Sequence, residues 1–167
     1  MHVVVMGVSA TGKTTVGEHL AEELGCEFIE GDELHPPSNI DKMTRGIPLT
    51  DEDRWPWLRA IADRVAERDR DGISTVVTCS ALKRSYRDVL RGAGPTFFVH
   101  LHAPYDVLEG RMQHRTKHFM PTGLLKSQFE TLEELGDDEW GAVVDVSPPR
   151  EEVLEEAVNA VRTNYMG

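Results

Sequence analysis

Short runs of consecutive apolar residues alternate along this chain with longer stretches that are apolar on one side only. Val3–Met6 is a β-branched run ending in a glycine-rich turn, which predicts a buried strand. From Lys13 to Leu24 the residues Val16, Leu20, Ala21 and Leu24 share one helical face, and Gly25 stands where a helix stops. Phe28–Ile29 predicts a second strand that runs into Gly31 and Asp32. His35-Pro36-Pro37 interrupts regular structure, and a short helix over Asn39–Arg45 closes at Gly46 and Pro48. Thr50 has the form of an N-cap, with Asp53 at the third helical position, and Trp57, Leu58, Ile61, Ala62 and Val65 supply the stripe of the helix that follows. Strands at Ser74–Cys79, Thr96–Leu101 and Val143–Val146 then alternate with helices at Leu82–Leu90, from Tyr105 to about His114, at Leu124–Leu135 and at Glu151–Val161.

This alternation predicts an α/β fold of three layers, with a mainly parallel sheet of five strands between helices. The strands are nearly all apolar, as expected when both faces are covered. A length of 167 residues fits one domain, 1–167.

At the first strand–helix junction, Gly7-Val8-Ser9-Ala10-Thr11-Gly12-Lys13-Thr14 matches the phosphate-binding pattern G-x-x-x-x-G-K-[ST]. Its glycines let main-chain N–H groups wrap phosphate oxygens, and the helix N-terminus adds partial positive charge. The nucleotide contacts are expected from Gly7 and Ser9, through Ala10, Thr11 and Gly12, to Lys13, Thr14 and Thr15. Lys13 neutralises the outer phosphates and the Thr14 hydroxyl offers a ligand to Mg²⁺. GTPases, ATPases and kinases share this loop. The chain has no NKxD guanine-reading motif, and its Glu30-Gly31-Asp32 strand end fits a small-molecule kinase.

Charge sharpens that reading. Eighteen Lys and Arg against 29 Asp and Glu leave a formal net charge of −11. Such a field repels nucleic acid and anionic membranes, so a phosphorylated ligand needs a local positive cluster. No run approaches the roughly 18 apolar residues of a membrane span. The apolar run at the N-terminus is too short for a signal peptide. Cys26 and Cys79 lie far apart and read as reduced thiols of a cytoplasmic protein.

Several blocks narrow the class. Gly31-Asp32-Glu33-Leu34-His35-Pro36, Asn39-Ile40-Asp41-Lys42-Met43, Gly46–Arg54, Trp57-Leu58, Cys79–Lys83, Tyr86-Arg87-Asp88, His118-Phe119, Gln128–Glu133 and Val143-Val144-Asp145 occur in order over nearly the whole chain. In these blocks the chain resembles gluconokinase, a P-loop sugar-acid kinase related in fold to shikimate kinase. The resemblance implies a P-loop NTPase fold and phosphoryl transfer from ATP, with Mg²⁺, to the 6-hydroxyl of D-gluconate. It also implies a substrate-binding helical segment near 35–70, a mobile lid near 112–124 and a homodimer. Two positions depart from the family pattern: Ala10-Thr11 stands where Gly-Ser is usual, and Lys117 where glycine is common.

Candidate roles follow, each beside a plainer alternative. Asp32 is the expected base or orienter of the attacking hydroxyl, otherwise a turn aspartate. Glu30 holds Mg²⁺ through water or is a surface residue. Arg54 offers a guanidinium fork to the acceptor carboxylate, or is a solvated residue paired with Asp51 or Glu52. His35 contacts sugar hydroxyls or is structural. Ser80 and Lys83 follow the third strand and are expected at the acceptor, with Arg87 behind them or on the surface. Gln128 is a polyol contact or structural. Arg111, Arg115 and His118 make a basic stretch suited to a lid over triphosphate, with Arg111 alternatively stacking on adenine, or are a solvated basic helix end. Trp55 and Trp57 read as packing at a helix start. The rival functions are a kinase for shikimate, a nucleoside monophosphate or another aldonic acid, and a non-catalytic nucleotide-operated module.

Overall fold

The computed structural model describes residues 1–113 and 122–166. Arg115, Lys117, His118 and most of the expected lid lie outside the described residues. Among the described residues, five strands pair in parallel in the order β2-β3-β1-β4-β5: β1 His2–Met6, β2 Glu27–Glu30, β3 Thr75–Thr78, β4 Phe97–His102 and β5 Gly141–Asp145. The helices are α1 Lys13–Leu24, α2 Pro37–Thr44, α3 Asp51–Arg70, α4 Arg84–Arg91, α5 Tyr105–Gln113, α6 Thr122–Thr131 and α7 Arg150–Met166. One tight helical turn, Gly31–Leu34, links β2 to α2.

The central strand β1 is buried along its length, with Val4 opposite Val77 of β3 and Phe98 of β4. On one face α1 meets β2 and β3 at Gly17, where an added Cβ would lie 2.7 Å from Phe28 and 3.0 Å from Thr78. On the other face Ile61 and Val65 of α3 close over Thr75 and Val77. The edge strand β5 departs from the expected apolar cover: Val143 is 56% exposed. Because every strand is parallel, all five chain exits lie along one sheet edge, where α/β folds assemble ligand sites.

The capping box at the start of α3 is present: Asp53 N–H donates to Thr50 Oγ1 at 3.2 Å and Thr50 N–H to Asp53 Oδ2 at 2.9 Å. Helix α2 opens at Pro37 rather than Asn39, since a proline fits the first helical turn, where its missing N–H costs no bond. Three further helix bounds differ from expectation for reasons visible in the structure. Ala81 adopts a left-handed φ of 46°, so 79–83 is a loop and α4 starts at Arg84 rather than Leu82. The side chain of Glu133 accepts the Arg84 N–H at 2.9 Å, and its own N–H donates to Leu82 O at 2.7 Å. Those bonds need extended chain after Thr131, which ends α6 short of Leu135. Helix α7 instead runs past Val161, where Tyr165 packs beside Phe97 and Trp140.

Candidate active site

The loop between β1 and α1 is shaped by close approach. At Gly7, with φ 147°, a Cβ would lie 2.6 Å from the Leu101 carbonyl oxygen of β4. Ala10 takes the left-handed conformation, φ 68°, although it carries a Cβ and not the glycine usual in the family pattern. The chain accepts a strain of about 1 kcal/mol there. Thr11 Oγ1 and Lys13 Nζ both donate to Val8 O, at 2.9 and 3.0 Å, folding the lysine over the loop.

Glu30, at the end of β2, ties this loop to the sheet. Its Oε2 accepts the Thr14 hydroxyl at 2.5 Å and its Oε1 accepts the Thr78 hydroxyl. The Thr14 proton is therefore engaged, and the lone pairs of its oxygen are left for a cation. Among the described residues no cluster of three acidic, His or Cys side chains exists to cage a metal. One hydroxyl with a carboxylate behind it suits Mg²⁺, which keeps several waters and shares phosphate oxygens.

Two clefts meet at the loop. Ala10, Thr11, Gly12 and Thr15 face the first, which Arg111, Val146, Pro148, Arg150 and Val153 close. Arg111 Nη2 donates to Val146 O at 2.5 Å, which holds its guanidinium in that wall. Ser9 and Lys13 face the second cleft, with Asp32, His35, Arg54, Trp57, Ser80 and Gln128, under a rim that includes Met43, Ile47 and Leu49.

Each wall of the second cleft has a local cause. Gly31 lets β2 end against β3, since a Cβ there would stand 1.9 Å from Thr78 O. Asp32 follows it over the sheet edge, with its side chain 68% exposed. His35 stacks on Trp57, centroids 3.9 Å apart, and Trp57 Nε1 donates to Gly31 O at 2.8 Å. Trp57 thus packs at the helix start and also walls the cleft. Burial, and next the Arg54 charge, push the His35 pKa down to about 4. The ring is neutral at physiological pH, and its Nε2 lies 3.9 Å from Asp32 Oδ1.

Arg54 is 9% exposed, and its Nη1 donates to Tyr86 Oη at 2.9 Å. Among the described residues no carboxylate lies within ion-pair reach of it, so the solvated, acid-paired alternative is overturned by burial. Lys83 does not line the cleft: as N-cap of α4 it turns to Asp51, with Nζ 3.2 Å from Oδ1. Arg87 is wholly buried rather than superficial, and its Nε and Nη2 grip Glu139 at 3.0 and 3.1 Å. Gln128 gives its Oε1 to the Ser9 N–H at 2.7 Å, fastening α6 to the phosphate loop. Arg115 and His118 fall outside the described residues.

Sequence reasoning passed over Asn39, Asp51, Tyr86, Arg150 and the apolar rim. Asn39 carried no helical-spacing signal toward His35, because Pro36 and Pro37 part the two and α2 starts only at Pro37. Tyr86 carried a faint one, three residues after Lys83.

Fold and paired clefts define a P-loop phosphotransferase of the small-molecule kinase class. A family model described as an AAA domain matches residues 3–135. A gluconokinase of Gluconobacter oxydans is 53% identical over 157 residues, covering 93% of this chain and 88% of that protein. The crystal structure of a gluconokinase from Sinorhizobium meliloti superposes with a TM-score of 0.89 at 54% identity, covering 98% and 93% of the two chains. An unliganded sugar kinase from Janibacter superposes with a TM-score of 0.92 at 55% identity, covering 96% and 93%. The chain belongs to the gluconokinase family.

Proposed function

We propose that this protein transfers the terminal phosphoryl group of ATP to the 6-hydroxyl of D-gluconate, giving 6-phosphogluconate and ADP. The observation that carries this reading is the phosphate loop as shared wall of two clefts, with Lys13 on the same side as Asp32 and Arg54. Phosphoryl transfer needs alignment and charge neutralisation more than covalent chemistry, and a shared wall provides both.

In this reading ATP lies along the first cleft, its phosphates on the loop amides and Lys13 and its base against Arg111. The Thr14 hydroxyl would hold Mg²⁺, with Glu30 behind it, and the ion would neutralise phosphate charge. Asp32 orients the acceptor hydroxyl and takes its proton. The acceptor carboxylate pairs with Arg54, for which a buried guanidinium with no carboxylate partner among the described residues is fitted. His35 and Ser80 hydrogen-bond the polyol, and Gln128 holds the loop beside it. Arg115 and His118 belong to a lid near 112–124 that covers the transferring group. A single domain with a substrate-binding segment near 35–70 completes the arrangement.

The reading also includes a homodimer and a cytoplasmic location, in keeping with the free thiols Cys26 and Cys79. No helix among the described residues is long and apolar enough to cross a membrane.

The test is coupled detection of ADP. ATP with Mg²⁺ and gluconate is expected to turn over far faster than ATP with Mg²⁺ alone. Equal rates with and without gluconate contradict the proposal.

A further inference from the structure

Arg54 brings a buried positive charge to the acceptor cleft, yet a neighbouring acidic side chain, Asp51, makes no ion pair with it. The Tyr86 hydroxyl stands between the two. It accepts from Arg54 Nη1 at 2.9 Å and donates to Asp51 Oδ1. A phenol has one proton. Given to Asp51, it leaves Arg54 a neutral oxygen as its partner. Asp51 is also drawn away from Arg54 by Lys83, whose Nζ donates to Oδ1 at 3.2 Å and Oδ2 at 3.3 Å.

Tyr86 is wholly buried, and its ring lies 5.3 Å from the Arg54 guanidinium carbon and 5.6 Å from Lys83 Nζ. The phenol is thus fixed with cations near its ring and a carboxylate on its oxygen. Without the hydroxyl, one oxygen's width would separate Asp51 from Arg54. A direct carboxylate–guanidinium pair is the strongest contact open to either group, and it would occupy the fork that the acceptor needs.

We propose that Tyr86 is a positioning residue for acceptor selection: its hydroxyl keeps Asp51 off Arg54, with Lys83 holding Asp51 on the far side, so that Arg54 stays available to the carboxylate of the acceptor. This rests on the reading of Arg54 as the carboxylate ligand. It gives Lys83 a role one step removed from the acceptor and accounts for a buried arginine without an ionic partner among the described residues.

Steady-state kinetics of three proteins test it, with gluconate and the uncharged polyol D-glucitol as acceptors. Tyr86→Phe is expected to raise the KM for gluconate about tenfold, the effect of losing one charge-assisted contact. The KM for ATP and kcat should stay within about twofold, and the preference for gluconate over glucitol should fall by the same tenfold. Adding Asp51→Asn removes the competing carboxylate, so the Tyr86→Phe/Asp51→Asn protein should recover most of the affinity for gluconate. A packing defect would not be rescued in this way. An unchanged gluconate KM in Tyr86→Phe, or a double variant no better than the single one, overturns the proposal. If Tyr86→Phe does not fold, Lys83→Met decides: a raised gluconate KM supports the proposal and an unchanged one overturns it. A wild-type protein that treats gluconate and glucitol alike fails at the parent reading of Arg54 and removes this inference with it.

Discussion

The side-chain amide of Asn39 donates to Nδ1 of His35 at 3.1 Å. The same nitrogen donates to the Asp53 carbonyl oxygen at 2.8 Å. A carbonyl oxygen can only accept, so the Asn39 amide is fixed with its NH₂ toward both partners. Nδ1 of His35 must then present a lone pair, and the ring proton sits on Nε2, which lies 3.9 Å from Asp32 Oδ1. Stacking on Trp57 fixes the plane of the ring. A residue on α2 thereby chooses the tautomer that serves the cleft.

This relationship is checked by nitrogen-15 NMR of the histidine rings. His35 is expected to show a protonated Nε2 and an unprotonated Nδ1 at neutral pH, and Asn39→Ala is expected to mix the tautomers and raise the gluconate KM several-fold. A protonated Nδ1 in the wild-type protein contradicts the assignment.

Stability should fall with acidity earlier than in a protein lacking such histidines. The pKa values of His35 and His100 are both held down to about 4 from an ordinary 6.5, first by burial and then by neighbouring positive charge or imidazole. His100 Nδ1 is buried with no hydrogen-bond partner among the described residues. Between pH 6.5 and 4 the unfolded chain therefore binds protons that the folded one refuses. The free energy of unfolding, and with it stability, rises with pH across that window and is lost as pH falls through it. Each histidine contributes a slope of up to about 1.4 kcal/mol per pH unit. Urea unfolding at several pH values should show a midpoint that drops below about pH 6, and His100→Leu should flatten the slope. A midpoint independent of pH from 6.5 to 4.5 contradicts this account.

The buried pair of Arg87 and Glu139 makes a separate prediction about stability. Glu139 accepts from Arg87 twice, from Arg91 Nη2 at 2.8 Å and from the Gly136 N–H at 2.8 Å. Burial alone would raise its pKa, but these donors outweigh burial and hold it at about 2. Glu139→Ala strands a guanidinium in the interior and is expected to cost about 3 kcal/mol or more. Thermal melting should show a large drop, and Arg87→Met added to Glu139→Leu should recover much of it. A melting point unchanged in Glu139→Ala contradicts the role.

The parts of the fold legible in the sequence are those whose cause is local. β1, the phosphate loop and α1 are adjacent, and strand periodicity, glycines and helical spacing agree there. The Thr50–Asp53 capping box lies within four residues and is present as expected. The illegible parts depend on distant partners. Arg87 looks superficial in a polar helix because Glu139 lies 52 positions away. The end of α6 is set by the bonds of Glu133 to Leu82 and Arg84, which no periodicity encodes. Lys83 stands at the expected sheet edge, but Asp51 from α3 turns it aside. Ala10 shows the opposite limit: its side chain argues against a left-handed backbone, and the surrounding loop imposes one.

In the proposed reaction one loop aligns a triphosphate with the terminal hydroxyl of a sugar acid. The most direct measurement is a crystal structure with gluconate and a non-hydrolysable ATP analogue. The gluconate carboxylate is expected on Arg54 and its 6-oxygen beside Asp32, about 3–3.5 Å from the outermost phosphorus and in line with the bond to be broken. A gluconate bound with its carboxylate away from Arg54, or with that oxygen far from the phosphorus while the nucleotide is fully seated, would contradict this alignment.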